Sequence, residues 1–525
     1  MEKKPQQPTP SVFSSLFGTS LRRLKIYYIN NSKTSKCIIL LLITLLGYLY
    51  FGTNLMRGRR LGYVGYKYDQ EDEYWMSDGE VADYLNNLED TRPPHCLDQA
   101  FDFNRMFDFK DTVSIVLHFY GKEDLGHFKL AISAIVDHTP FDVYEEIILR
   151  SQKHEGTAAT RLKASLIATG TILVFVSSDV IVNEGWIQPL IAKVVLDEKT
   201  IVVPHYDNML AGHRFFKTDD SLSSTFAWSL YTITYENAKG DKEEFLKTSV
   251  LRGEVLAVKK SFLEKIGNYD SNFEADGGGE NLELSFRTWL CGGSIVIAKC
   301  SRVAVHSSLR PLSVRSHANY RYLTELWLTD DYKDLAYLQG NISNVLSAEE
   351  TLALKNRRNY FKNNGIQCKD FPWYLSHVAK EIITPSENVV KFGKLKTKAA
   401  FCVRAISAAD VEMSLCRHHI YDSEMMFEMD RNGAIFKDDY CLSLDTSGKE
   451  TGIVDKLILT TCQDGSQNQI WQSVGPTLTL TSRPNQCLTQ ISERDKMTHE
   501  LKYYAKLKDC SPAESRMQIW EFINY

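Results

Sequence analysis

The sequence predicts an α/β domain with a mostly parallel sheet, then an all-β domain of three repeated units, both behind one amino-terminal membrane helix. Three features predict this: an uncharged stretch over 37–56, strand–helix alternation from Asp111 onward, and a cysteine–cysteine–aromatic pattern that recurs after about residue 395. A chain of 525 residues is too long for one core, so two or three domains are expected. Its 43% hydrophobic and 24% charged residues describe an ordinary globular protein, and a net charge of -5 gives no reason to propose nucleic acid as a partner.

The run from Cys37 to Met56 is about long enough to cross roughly 30 Å of hydrocarbon as a helix. No small-residue cleavage pattern follows it, which favours an uncleaved signal anchor over a removed signal peptide. Lys3, Lys4, Arg22, Arg23, Lys25, Lys33 and Lys36 precede it against only Glu2, so residues 1–36 are expected in the cytosol. Arg57, Arg59 and Arg60 on the far flank weaken that orientation without reversing it. A buried core helix is the competing reading, but the segment is not attached directly to a domain. Residues 57–95 are polar and acidic, show no apolar period and end in Arg92-Pro93-Pro94, which reads as a stem.

The α/β domain is placed at 96–385. Thr112–Phe119 is a β-branched apolar run, followed by a helix with Phe128, Ala131, Ile132 and Ile135 on one face. Strands over Glu146–Leu149, Thr171–Val176 and Ile201–Val203 alternate with helical stretches through Arg161 and Leu166 and from near Trp186. Such alternation implies a parallel sheet covered by helices, with any site at the carboxyl ends of the strands.

Residues 395–525 carry the units Cys402/Cys416/Phe427, Cys441/Cys462/Trp471 and Cys487/Cys510/Trp520, the last two ending in Gln-Ile-Trp. Three such units of roughly 40 to 50 residues suggest a closed three-fold β assembly in which no unit buries its apolar face alone. Beyond Cys37 there are ten cysteines, an even set that suggests disulfides in an oxidising lumen. The alternative is ten free thiols in a cytosolic enzyme. Each cross-link within a repeat would add about 3 kcal/mol by restricting the unfolded chain.

The segment Gly278-Gly279-Glu280-Asn281-Leu282-Glu283-Leu284-Ser285-Phe286-Arg287-Thr288-Trp289-Leu290-Cys291-Gly292-Gly293 resembles the signature of the polypeptide N-acetylgalactosaminyltransferases. Gly185-Trp186-Ile187-Gln188-Pro189-Leu190 and Cys368-Lys369-Asp370-Phe371-Pro372-Trp373-Tyr374-Leu375 also resemble segments of that family, and the order of parts matches over about 96–525. The resemblance implies a GT-A glycosyltransferase domain followed by a ricin B-type lectin β-trefoil, in a single-pass type II protein of the Golgi lumen. It also implies the pairs Cys96–Cys300, Cys291–Cys368, Cys402–Cys416, Cys441–Cys462 and Cys487–Cys510.

The implied chemistry is transfer of GalNAc from UDP-GalNAc to Ser or Thr of a protein acceptor, with Mn2+ holding the diphosphate. The family takes its metal ligands from an Asp-x-His at a strand end and a downstream His. Here the strand ends in Ser177-Ser178-Asp179, so Ser177 replaces the aspartate and Asp179 stands where histidine is expected. Asp179 either binds a hard cation or merely caps the turn. The downstream histidine aligns with Val305, one place before His306, and a one-residue offset turns a strand side chain to the other face. His306 is therefore a metal ligand only if the strand slips; otherwise it is unrelated.

Ser307, Ser308 and Leu309 replace the residues that close over the diphosphate, leaving Arg310 as a phosphate partner. His154, Arg161, Ser177 and Lys247 are the other expected substrate contacts, and Glu280 and Asn281 the retained catalytic pair, though both also serve structural hydrogen bonds. The chain is shorter than the family after the second strand, where uridine is held. Gly277 replaces the mobile-loop tryptophan, and Arg252-Gly253-Glu254 brings charge into a stretch of small residues.

The lectin aspartates are replaced by Arg404, Ser443 and Thr489. Asn468 is left to bind a sugar hydroxyl, while Trp471 and Trp520 are expected more in the trefoil core than against sugar. Asn341-Ile342-Ser343 is an N-glycosylation sequon on the expected lumenal side; Asn30-Asn31-Ser32 also fits but falls on the cytosolic side. These losses favour a weakened or inactive transferase over an active one with altered donor or metal use. The other readings are a non-catalytic scaffold for glycoproteins or another transferase, and a membrane-tethered lectin.

Overall fold

A computed structural model describes residues 24–28, 78–97, 111–119, 125–139, 144–150, 155–210, 214–218, 221–237, 243–275, 277–306, 316–386, 389–407, 410–416, 420–494, 501–511 and 515–523. The expected membrane segment at 37–56 lies outside them. No helix among the described residues is long and apolar enough to cross a membrane. The chain divides into two compact units, the first of residues 1–221, 239–329 and 344–374, the second of 222–238, 330–343 and 375–525.

The first unit is built on one sheet. Its strands follow the order Leu24–Tyr28, Tyr144–Arg150, Val113–Phe119, Ile172–Ser177, Val255–Lys259, Thr200–Leu210, Ser294–His306, Phe245–Lys247. The first four are parallel, as are Thr200–Leu210 and Ser294–His306, while Val255–Lys259 runs antiparallel to both its neighbours. The predicted alternation is present: helices Leu125–His138, Thr157–Ile167 and Ile187–Leu196 fall between successive strands. Ile172–Val176 is wholly buried, as an unbroken apolar run in a sheet covered on both faces requires.

Two features differ from the sequence reading. Leu24–Tyr28, inside the expected cytosolic tail, forms an edge strand parallel to Tyr144–Arg150. In the expected stem, Asp78–Asn86 is a helix that buries Val81 and Leu85. One i,i+4 pair is too short a pattern to read as amphipathic periodicity.

A charged pair lies fully buried between neighbouring strands. Arg302 donates to both oxygens of Asp207, from Nε at 3.0 Å and Nη2 at 2.5 Å. Thr91 Oγ1 and the Thr218 amide also donate to that carboxylate. Removing either charge would strand the other without water, a cost of about 3–5 kcal/mol. Next to it, Thr218 Oγ1 donates to the Tyr206 carbonyl, so it accepts from His205 Nε2–H at 2.8 Å. Burial, with Arg302 nearby, pushes the His205 imidazolium far down and keeps the ring neutral.

The second unit is rich in antiparallel strands, and its repeats show the same geometry twice. Trp471 Nε1 donates to Leu442 O at 2.9 Å, and Trp520 Nε1 to Leu488 O at 2.7 Å. Gln469 Oε1 accepts from the amide of Gln463, and Gln518 Oε1 from that of Ser511, in each case the residue after a unit's second cysteine. Both tryptophans join Phe427, Leu395, Leu442, Leu457 and Leu488 in one core. All five disulfides implied by the resemblance are formed: Cys96–Cys300, Cys291–Cys368, Cys402–Cys416, Cys441–Cys462 and Cys487–Cys510.

Candidate active site

The strand Ile172–Ser177 ends at the carboxyl edge of the sheet, where ligands of such sheets bind. Ser177 is half-buried, and its amide donates to Glu254 O at 2.8 Å. After a turn through Asp179, also half-buried, Val180–Val182 pairs antiparallel with Val303–Val305. Val180 faces Val305, so continuing the register sets the backbone of Asp179 opposite His306. The sheet therefore brings the two expected metal positions together along the backbone. Val305, the aligned histidine position, is buried and apolar and cannot ligate.

The donors present do not complete a Mn2+ site among the described side chains. Asp179 is the one carboxylate of the turn, and Ser177 offers a neutral hydroxyl, so these two side chains by themselves do not make a Mn2+ site. The single group of three metal-ligating residues among the described side chains is His95, Cys96 and Cys300, whose two sulfurs are joined in a disulfide.

The signature segment forms the helix Glu280–Leu290. Gly278 and Gly279 precede it at φ 69° and 92°, which only glycine adopts without strain. Inside the helix, Arg287 grips Glu283 through two bonds of 2.9 Å, Trp327 Nε1 donates to the same carboxylate, and Arg287 Nη1 reaches Ile266 O. Phe286 packs edge-on against Phe371 and Tyr374, with ring centroids 5.2 and 5.0 Å away. Much of the signature is therefore architecture. Glu280 and Asn281, both half-buried, share a 3.3 Å bond from Asn281 Nδ2.

Arg161 projects from the helix Thr157–Ile167 and is fully buried. Its Nη2 donates to Gly253 O at 2.5 Å and its Nη1 to Tyr269 Oη at 3.2 Å. The guanidinium also lies 5.4 Å from the Phe175 ring centre. Burial raises the Tyr269 phenol, and Arg161 works against that rise. Arg252 sits 4.3 Å over the Tyr206 ring and 3.3 Å from Glu254.

Residues 142–267 match the family described as glycosyl transferase family 2. The chain is 28% identical over 317 residues to polypeptide N-acetylgalactosaminyltransferase 5 of Caenorhabditis elegans, covering 56% of this chain and 49% of that one. It is 27% identical over 392 residues to polypeptide N-acetylgalactosaminyltransferase 13 of Rattus norvegicus, covering 71% and 66%. Against N-acetylgalactosaminyltransferase 7 of Drosophila melanogaster the identity is 24% over 522 residues, covering 86% and 83%. These likenesses support a member of the polypeptide N-acetylgalactosaminyltransferase family. The chain spans about half to two thirds of the length of the first two relatives. A solved structure described as GalNAc-T7 with UDP, GalNAc and Mn2+ aligns over 83% of this chain and 85% of its own, with 18% identity and a TM-score of 0.49.

The expected site residues are distributed unevenly. His154 and Arg310 lie outside the described residues, as does the side chain of His306. Lys247 is exposed at the end of the edge strand Phe245–Lys247. Arg161, expected on substrate, is committed to Gly253 and Tyr269. Tyr206 and Tyr269 were not legible as site residues, because nothing in their local sequence marks a buried phenol.

In the second unit, Trp471 and Trp520 are 1% and 7% exposed, so neither can stack on a sugar. Asn468 is exposed, and Ser443 Oγ donates to its carbonyl at 3.4 Å. Thr489 is buried and accepts from Gln518 Nε2, a structural bond. Arg404 is held by Glu424 at 2.6 Å. The nearby Asp445 is raised by burial, but bonds from Thr451, Ser447 and Glu450 outweigh this and hold its carboxyl at about 2.

Gly277 has no room for a side chain. A Cβ there would sit 2.4 Å from Asn319 Nδ2 and 2.4 Å from Ser316 Cβ. Asn319 Nδ2 in turn donates to Gly278 O and Glu274 O. Restoring the family's tryptophan by Gly277→Trp is expected to break these bonds and destabilise the unit by about 2–3 kcal/mol. Chemical denaturation measures this; a variant as stable as the parent would show that the Asn319 contact is not fixed.

Proposed function

We propose that this protein is a type II Golgi member of the mucin-type O-glycosylation machinery whose capacity to transfer GalNAc from UDP-GalNAc to Ser or Thr is weakened or lost. The observation that carries the reading is the strand end at Ser177–Asp179, where Asp179 is the one carboxylate and the paired strand carries a buried Val305 at the expected histidine position. A diphosphate leaving group needs its developing charge held, and losing one such contact costs several kcal/mol of transition-state stabilisation. The repeat geometry of the second unit supports a β-trefoil of the ricin B type. Its buried tryptophans, with Arg404, Ser443 and Thr489 at the expected aspartate positions, favour a structural or protein-binding role over a GalNAc lectin. In that role the protein is a scaffold for glycoproteins or for another transferase.

Purified lumenal protein incubated with UDP-GalNAc, Mn2+ and a Ser/Thr-rich peptide is expected to turn over at least about 100-fold more slowly than an intact relative, as loss of one well-placed charge contact implies. Turnover at a relative's rate, abolished by Asp179→Ala, would overturn the reading.

The pairing of Leu24–Tyr28 with Tyr144–Arg150 counts against the anchored arrangement, which would put a bilayer between the two strands. Sequon occupancy tests this. Asn341 is exposed at φ 51°, open to modification, while Asn30 would be cytosolic. Glycan on Asn341 alone is expected by mass spectrometry; glycan on both would put residues 1–36 with the sheet and remove the anchor.

A further inference from the structure

The segment joining Phe245–Lys247 to Val255–Lys259 is buried over most of its length and held at every residue from Thr248 to Val255. Trp289 Nε1 donates to Thr248 O, Tyr374 Oη to Ser249 O, and Thr248 Oγ1 to Val250 O. The Leu251 amide donates to Ser285 Oγ, Arg161 Nη2 to Gly253 O, and the Ser177 amide to Glu254 O. Tyr206 Oη accepts from the Val255 amide at 3.0 Å. Its single proton serves the carbonyl of Arg252 at 3.0 Å or of Val255 at 2.8 Å.

The tethers come from five directions: the helix Thr157–Ile167, the signature helix, the strand end at Ser177, the strand Thr200–Leu210, and the Phe371–His377 segment. At the centre the contact is tighter than any side chain allows. A Cβ on Gly253 would fall 2.0 Å from Asn281 Oδ1 and 2.2 Å from its Cγ. The backbone of Gly253 is thus pressed onto the amide beside Glu280 while its carbonyl takes the buried cation Arg161.

We infer that residues 251–254 are a built-in lock: the loop seats its own backbone between Arg161 and Asn281 and closes this edge of the sheet to a nucleoside diphosphate. The physical basis is substitution of partners. A buried guanidinium needs an acceptor, and the nearest one here is a carbonyl of the same chain rather than a phosphate oxygen. Arg252 and Glu254 add a charge pair flanking the same point, so an entering diphosphate would meet the Glu254 carboxylate. Arg161 acts as a positioning residue, which holds the loop without touching substrate. The inference rests on the degenerate-site reading above and specifies how the site is closed.

Hydrogen exchange on the lumenal protein, with and without UDP and Mn2+, tests the lock. The amides of Leu251 and of Gly253 to Val255 are expected to exchange as slowly as the strand Ile172–Ser177, and adding UDP and Mn2+ should change their rates less than twofold. A mutant cycle tests the central contact. Gly253→Ala should lower the melting temperature by about 3 °C, and Asn281→Gly should restore most of that loss in the double variant. Arg161→Lys, which keeps the charge, should raise exchange at Gly253 and Glu254 at least tenfold while leaving Ile172–Ser177 unchanged.

Fast exchange of the loop in the parent, or equal cost of Gly253→Ala with and without Asn281, would overturn the lock. Slowing of the loop by UDP and Mn2+ without turnover would overturn the lock alone. Turnover with UDP-GalNAc at a relative's rate would overturn the lock and the degenerate-site reading together.

Discussion

Everything at the candidate site depends on where the Arg161 guanidinium finds its acceptor. It is fully buried, and an unpaired cation at that depth would be untenable. Gly253 O supplies the partner, and the consequences follow along the chain. The carbonyl that takes Arg161 belongs to a backbone lying against Asn281, an approach that only glycine permits. The loop then continues directly into Val255–Lys259, the strand paired antiparallel to Ile172–Ser177. One hydrogen bond thus links the helix before the central strand to the loop after it.

Such an arrangement separates ancestry from chemistry. In the signature helix Glu283, Arg287, Phe286, Trp289 and Ser285 each hold a neighbour in place. A sequence match there reports shared packing, and packing is indifferent to whether sugar is transferred. The residues expected to bear on transfer, such as Ser177 and Asp179, sit on a turn and a strand end, where a substitution leaves the sheet undisturbed.

The same distinction decides what was legible beforehand. Unbroken apolar runs such as Ile172–Val176, and the cysteine–aromatic spacing of the repeats, carry a period, and periods survive in a single sequence. The contacts of Arg161, Tyr206 and Tyr269 do not, because residues some 50 to 110 positions apart meet only once the sheet is assembled. The one-residue offset between Val305 and His306 was visible. That the register would set His306 opposite Asp179 followed only from the strand pairing. Asp78–Asn86 escaped because two apolar residues make no period, and Leu24–Tyr28 because its partner strand lies more than a hundred residues away. In the second unit, Trp471 and Trp520 were expected in the core and are there, tied to Leu442 and Leu488.

The protein completes this site with its own groups. The most direct measurement is the melting temperature of the lumenal protein with and without UDP and Mn2+ at millimolar concentration. Since a ligand at 100 times its dissociation constant adds about 2.7 kcal/mol to the folded state, a working donor site would shift the transition by several degrees. The expected shift is below about 1 °C, within what weak surface binding produces. A metal-dependent rise of several degrees would contradict it.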